Sequence, residues 1–413
     1  MRGGVFRFCS HPVMSRVLLA GLGVITILLG VTLPRSRTVF TVIGRLLFGI
    51  LIAFLVLEAV ATAGLFIAGR FFPEPADPKE ALLRIHSDIY RPFVIWRASP
   101  FTSNGMNISG EGLRVVPGAS NSPDAFRVFM FGGSTMIGWG TTDGGTIAGN
   151  FQRMLSRCTS RPVCVTNFGQ HAYVSTQELI ELQLQLRVGN IPDLVIFYDG
   201  TNEVWSAYEA DTAGVHFLLS EIADLFENRH FRVEEGLRQP FTRILSGLNS
   251  VKLLGSVLGF SEPESRVVLY QAAPSMCALH GSEFVDPVLF ASDIMEVYEG
   301  NLRIIRALSV EFGFDCLAFW QPVVLTGSKD LTPEELAIAE EQNDFLHRVY
   351  RECEAGAREL ELEYEGFVCI TDVFDDRPEQ IFTDICHVNA LGDSLVALRI
   401  VGEVRSTGML PAE

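Results

Sequence analysis

From residue 126 onward, the spacing of apolar positions switches repeatedly between two periods. Short runs rich in Val, Ile and Phe predict buried strands at 126–131 (FRVFMF), 163–168 (VCVTNF), 193–198 (DLVIFY), 316–324 (CLAFWQPVV) and 367–374 (FVCITDVF). Between them the spacing becomes helical. Segment 175–189 carries Leu179, Leu182 and Leu186 on one face, behind a Ser or Thr cap. Segments 293–313 and 332–363 are long and amphipathic, and a last helix begins near Asn389. Strands alternating with helices predict an α/β fold whose mainly parallel sheet is covered on both faces. Residues 205–290 interrupt this order. They are too long for a simple connection and predict an inserted helical cap near the strand ends.

The front of the chain has a different pattern. Residues 17–33 carry no charge, and residues 46–69 hold a single one, Glu58. The second run is long enough to cross about 30 Å of hydrocarbon as a helix, and the first is at the lower limit. The expectation is a membrane anchor over 1–70 with two transmembrane helices. A single signal-anchor is the alternative. No A-x-A-like cleavage site follows, and no lipobox-like pattern precedes Cys9. An intramembrane glutamate is a functional candidate by default, but Glu58 has no visible partner and reads as protonated or packed. Arg35, Arg37 and Arg45 favour a cytoplasmic loop between the two runs, while Arg2, Arg7 and Arg16 pull the N-terminus the same way. A start at Met14 would leave Arg16 alone upstream of the loop and place the large C-terminal part outside the cytoplasm. Residues 71–109 read as a linker and juxtamembrane arm, with an aromatic patch around Tyr90 and Trp96. Residues 110–405 read as the α/β domain.

Charge sharpens this division. The chain carries −17, yet residues 1–70 hold seven arginines against one glutamate, leaving −23 on the remainder. A domain that acidic does not bind nucleic acid by charge and suits an uncharged substrate. The eight cysteines do not fix the compartment. Cys158 and Cys164 could close a small loop in an exported domain; Cys316 and Cys369 read as small core residues. No C-x-x-C, H-E-x-x-H, P-loop or G-x-G-x-x-G pattern occurs, so neither a metal nor a nucleotide cofactor has motif support.

The chemistry gathers just beyond strand ends, where ligands bind in open parallel sheets. The first strand runs into GGST, which presents Ser134 on a glycine-cushioned turn. A serine hydroxyl needs an adjacent base to become a nucleophile. The segment FTDICHVNALGD supplies Asp384 and His387, three apart, so that the carboxylate can hold one ring nitrogen and leave the other for serine. Gly169 in TNFGQHAY and Asn202 in YDGTNEV offer a backbone N–H and an amide for an oxyanion, beside the N–H of Ser134. Each residue also has a plain structural reading: Ser134 as a turn residue, Gly169 as a tight turn, Asn202 as an Asx turn, Asp384 as a helix cap. His171 reads as wall or surface, and Trp139 and Trp205 as packing residues that could also stack on a sugar.

Taken in order, Ser134, Gly169, Asn202 and the D-x-x-H pair resemble the four blocks of the SGNH, or GDSL-type, esterases and acylhydrolases. The likeness covers about residues 110–405. It implies a flavodoxin-like three-layer α/β/α fold with a five-stranded sheet, no cofactor, and hydrolysis of esters on sugars or lipids. Gly133 stands where the family usually has aspartate, Ala172 where a second glycine is common, and Glu203 where an aspartate usually follows the asparagine. The α/β-hydrolase elbow G-x-S-x-G fits less well, because Met136 stands at its last glycine. The expectation is a membrane-anchored serine esterase outside the cytoplasm, acting on an acylated envelope glycan or lipid. An O-acyltransferase with the same triad and a catalytically silent glycan-binding module are the alternatives.

Overall fold

A computed structural model describes residues 38–71, 88–220, 222–223 and 285–410. The chain divides into two compact units. Of the first, the described part is helix α1 (Thr38–Phe71). Its side chains are described only between Gly44 and Thr62. Among the described residues no helix is long and apolar enough to cross a membrane, so the structure supplies no span for the expected anchor. The first expected span, 17–33, lies outside the described residues. The second, 46–69, falls on α1, where only part of its length has described side chains.

The second unit begins with two small antiparallel pairs, β1 (Ile89–Arg91) with β2 (Ile95–Arg97) and β3 (Phe101–Thr102) with β4 (Asn107–Ile108). The alternation then sets in: β5 (Phe126–Gly132), α2 (Ser134–Ile137), α3 (Ile147–Leu155), β6 (Val163–Asn167), α4 (Ser175–Arg187), β7 (Leu194–Asp199) and α5 (Thr201–Ala210). After residues outside the description come α6 (Pro287–Phe312), β8 (Asp315–Trp320), α7 (Pro333–Glu340), α8 (Asp344–Glu363), β9 (Phe367–Cys369) and α9 (Ala390–Ser406). The strands form one five-stranded sheet in the order β6-β5-β7-β8-β9, all parallel. This is the flavodoxin-like order, which reverses direction between β5 and β7.

α3 packs with α9 on one face of the sheet, and α6 packs with α4 and α8 on the other. Both faces are therefore covered, and β7 is buried at every position. The Phe131 ring stacks on Phe168 at 4.9 Å and on Phe197 at 5.1 Å, tying β5 to both of its neighbours. Burying one such ring contributes about 2–3 kcal/mol.

Several expected boundaries move. The fifth strand is only three residues long, because the chain turns at Thr371 and Asp372. The long helix expected over 332–363 is two helices, since Asn343 accepts from the Leu346 N–H and starts a second one. The cap of α4 is Val174, not Ser or Thr. The expected insert starts too early: 205–210 complete α5, and Pro287–Phe290 open α6. Leu218, just beyond α5, packs with Val94, Trp96 and Tyr173. Cys158 and Cys164, which could have closed a small loop, are both free.

One buried arginine organises the chain around the first strand end. Arg114 is 2% exposed. Its Nε donates to Asp143 Oδ1 at 2.6 Å, and its remaining nitrogens donate to the carbonyls of Ile137, Gly138 and Thr141. Asp143 in turn accepts from the backbone and side-chain nitrogens of Asn107. Arg114→Ala leaves Asp143 buried without its cation and three carbonyls without donors. We expect a loss of about 3–5 kcal/mol, read as a lower denaturant midpoint at unchanged m-value.

Candidate active site

Ser134 is the first residue of α2, where β5 ends. Its backbone N–H lies in the first helical turn and has no intrahelical acceptor. Gly133 has room for nothing more: a Cβ there would lie 2.0 Å from Asn202 Nδ2. The Asn202 amide thus lies directly against Gly133.

His387 and Asp384 lie on a short loop ahead of α9. Asp384 Oδ1 accepts from the N–H groups of Cys386 and His387, at 3.0 and 2.7 Å. This Asx-type turn points its other oxygen, Oδ2, at His387 Nδ1, 2.7 Å away. His387 Nε2 faces Ser134 Oγ at 2.8 Å. Hydroxyl, imidazole and carboxylate therefore form one continuous chain of hydrogen bonds. The loop is pinned at both ends. Asn389 caps α9 by accepting from Leu391 and Gly392, while Glu335 Oε1 accepts from Ile381 and Phe382. Glu335 is itself paired with Lys329 at 2.7 Å, and both are buried.

Burial alone would raise Asp384, but the hydrogen bonds from His387 and the turn N–H groups outweigh it and hold the carboxyl at about 2. Burial would likewise lower His387. The Cys386 sulfur, 3.6 Å from Nδ1, and the Asp384 carboxylate reverse that and raise the imidazole above its ordinary value. Asp384, Cys386 and His387 offer ligand atoms within 4.8 Å of one another. Yet Nδ1 and the carboxylate already bond to each other and Nε2 faces the serine, so an ion there would break the chain.

The two expected oxyanion residues fare differently. Asn202 lies on the first turn of α5, and its Nδ2 donates to the Tyr173 carbonyl at 2.8 Å. An amide has two donor hydrogens, which leaves one for a ligand. Gly200 makes the turn before it at φ 128°, with a Trp320 ring carbon 3.0 Å from where a Cβ would sit. Gly169 does not present its N–H to the site. That group donates to Asn167 Oδ1 at 2.9 Å, and the residue is buried. Further along the same loop, Ala172 takes φ 51°, which few non-glycine residues adopt. Its N–H has no hydrogen-bond partner among the described residues. The sequence did mark Ala172, as the place of a missing glycine, but not as a donor.

Around the triad, the Trp139 ring lies 5.9 Å from that of His387 and meets His171 edge-on at 5.2 Å. His171 Nε2 is buried without a partner, and Nδ1 lies 3.8 Å from Asp88. Trp205 packs on Tyr208 and the main core.

No family model and no curated protein matches this chain. Similar solved structures include a putative lipolytic protein of the G-D-S-L family from Desulfitobacterium hafniense DCB-2, 7% identical, covering 67% of this chain and 97% of that one, with TM-score 0.34. The acetyl xylan esterase AlAXEase is 12% identical over 67% of this chain and 99% of its own, with TM-score 0.35. A catalytic mutant of an acetylxylan esterase from Geobacillus stearothermophilus is 10% identical over 71% and 100%, with TM-score 0.35. Likeness at that level carries no argument about chemistry, which rests on the residues themselves.

Beneath the Asn202 turn lies a group of acids with no base among them. Glu178, Asp199 and Glu203 are at most 4% exposed. Among the described residues, both oxygens of Glu178 and Oδ1 of Asp199 lack a donor, while Tyr298 donates to Asp199 Oδ2 at 3.2 Å. Glu178 and Asp199 both hold their protons more tightly than ordinary carboxyls do. Burial first, then mutual repulsion, raises Glu178; burial and the charge of Glu203 raise Asp199. A raised folded value stabilises fully below the unfolded value of about 4 and is lost as pH rises through the folded one. Thermal midpoints should therefore fall as pH climbs from about 5 toward 9. In Glu178→Gln, which removes one of these protons from the balance, the slope should be visibly shallower. Parallel slopes would mean that the acids titrate normally.

Proposed function

We propose that this chain is an SGNH-type serine ester hydrolase. The observation that carries this reading is the unbroken chain Ser134 Oγ–His387 Nε2 and His387 Nδ1–Asp384 Oδ2, at 2.8 and 2.7 Å. In this reading His387 takes the proton of Ser134 as Oγ attacks an ester carbonyl. The tetrahedral oxyanion is held by the Ser134 N–H and the free hydrogen of the Asn202 amide. The N–H of Ala172 serves as third donor in place of Gly169, whose own N–H is committed to Asn167. His387 then protonates the departing alcohol, and an acyl-serine remains. Water, deprotonated by the same imidazole, releases the acid. Asp384 keeps Nδ1 protonated and balances the imidazolium.

The substrate class in this proposal is an O-acylated envelope glycan or lipid. It is supported by the strongly negative charge of residues 71–413, which disfavours anionic substrates, and by Trp139 beside the base. The apolar run 46–69 supports membrane anchoring, with the catalytic domain outside the cytoplasm.

Hydrolysis of p-nitrophenyl acetate tests the chemistry. Ser134→Ala and His387→Ala should each lower kcat by about 10,000-fold or more, with the thermal midpoint near that of the parent. Retained turnover in Ser134→Ala would remove the proposal.

The pH profile is an independent check. The base must be neutral to act, and its pKa is raised, so kcat/KM should rise with pH along a limb centred above the ordinary 6.5. Cys386→Ala, which takes away the sulfur beside Nδ1, should move that limb to lower pH. An unmoved limb would show that the thiol does not tune the imidazole.

A further inference from the structure

The turn that carries Asn202 is held by one carboxylate reaching in two directions. Glu203 Oε2 accepts the Gly200 N–H at 2.8 Å. Glu203 Oε1 accepts the Ser175 N–H at 2.7 Å. Gly200 closes β7 and opens α5, whereas Ser175 opens α4, directly behind the loop from Gly169 to Val174. The side chain is buried, so water offers no substitute acceptor.

A glutamate at the third helical position that bonds back to the N-cap N–H is an ordinary helix cap. That accounts for Oε2 alone. Oε1 leaves its own helix and ends on a residue 28 positions earlier. Between the same two segments runs a second link: Asn202 Nδ2 donates to the Tyr173 carbonyl at 2.8 Å. Amide and carboxylate, on adjacent residues, are two rungs of one ladder. From the far side, Asn301 Nδ2 donates to Ser175 Oγ and Thr176 Oγ1, at 3.0 and 3.1 Å, and steadies the start of α4. With the Glu203 rung removed, only the Asn202 amide would join the turn to the loop. The hydrogen that should meet an oxyanion would then swing with it.

We propose that Glu203 is a positioning residue: by clamping the β7–α5 turn to the start of α4, it aims the Asn202 amide at the position a reacting oxyanion takes. The proposal rests on the reading of Ser134 as nucleophile. It also assigns a task to the longer acid at a place where the resembled family usually has aspartate. An aspartate is one methylene shorter and would not span both N–H groups from the same backbone position.

The test uses the full chain and an alkyl fluorophosphonate, which labels an activated serine without knowledge of the natural ester. The readouts are the second-order labelling rate at Ser134 and the concentration at half-saturation. Glu203→Gln keeps the size but turns one acceptor into a donor facing an N–H. It should slow labelling by about 10- to 100-fold, the range for a displaced or lost oxyanion donor, with half-saturation changed less than about 3-fold.

In the Asn202→Ala background the same substitution should cost little more, because the group it aims is gone. Ser175→Pro removes the N–H and, with the hydroxyl, one of the two Asn301 contacts, while Glu203 and the Asn301 bond to Thr176 stay in place. Proline suits the first helical position, and Val174 at φ −104°, ψ 159° suits the residue before one. It should reproduce the loss and the non-additivity, and it decides the matter if Glu203→Gln does not fold. Labelling at the parental rate, or an equal loss in the Asn202→Ala background, would overturn the positioning role while leaving the serine chemistry intact. A parent chain that does not label at Ser134 would overturn the hydrolase reading and this inference with it.

Discussion

A single hydrogen bond, between Ser134 Oγ and His387 Nε2, joins segments 253 residues apart, and the site exists only while both ends stay fixed. Each end is held by buried charge rather than by local propensity. On the serine side, Arg114 gathers the carbonyls of Ile137, Gly138 and Thr141 and pairs with Asp143. On the histidine side, Lys329 and Glu335 hold the backbone at Ile381 and Phe382. Neither pair touches the reacting atoms. Removing one partner of such a buried pair costs far more than the pair contributes against an apolar replacement. These pairs therefore act as fixed joints: they specify where loops go more than they add stability.

The parallel sheet explains why the joints are needed. In the order β6-β5-β7-β8-β9, the connections after β5 and β7 leave toward opposite sides. A crevice opens between the two strand ends, and it is lined by turns rather than by strands. Ser134 and Asn202 stand at those two ends, and the Asn202 amide closes the gap by resting against Gly133. A side chain at position 133 would compete for the same volume. Gly133 and Asn202 thus meet across the crevice, with the amide lying against the glycine.

Much of this was legible from periodicity. The apolar runs at 126–131 and 193–198 become β5 and β7 with ends shifted by one residue, because buried parallel strands need unbroken apolar sequence. The D-x-x-H spacing was legible because a carboxylate bonding to its own turn is a local event. The N–H of Gly169 turns back to Asn167 two residues earlier, an Asx-type turn that the sequence reading did not weigh for this glycine. Arg114 stood in an irregular stretch with no pattern to mark it. The break at Asn343 could have been read: an asparagine followed by an acid is a start signal even inside a helical run. Of the two N-terminal runs, 17–33 lies outside the described residues and 46–69 falls on α1, whose side chains are described only in part.

The acids under the Asn202 turn pull against this order. Burial raises the carboxyls of Glu178 and Asp199, and Glu203 beside them accepts two backbone N–H groups. Three carboxyls with no cation cost stability, and the cost grows with every proton lost. A packing argument would fill the space with leucines. What leucine cannot do is accept an N–H from Gly200 and another from Ser175 at once. Acceptors are required there because both groups are buried helix-start donors without partners of their own. One glutamate satisfies the two and joins their segments. The arrangement therefore sets the cost of buried carboxyls against two backbone donors that would otherwise be left unpaired.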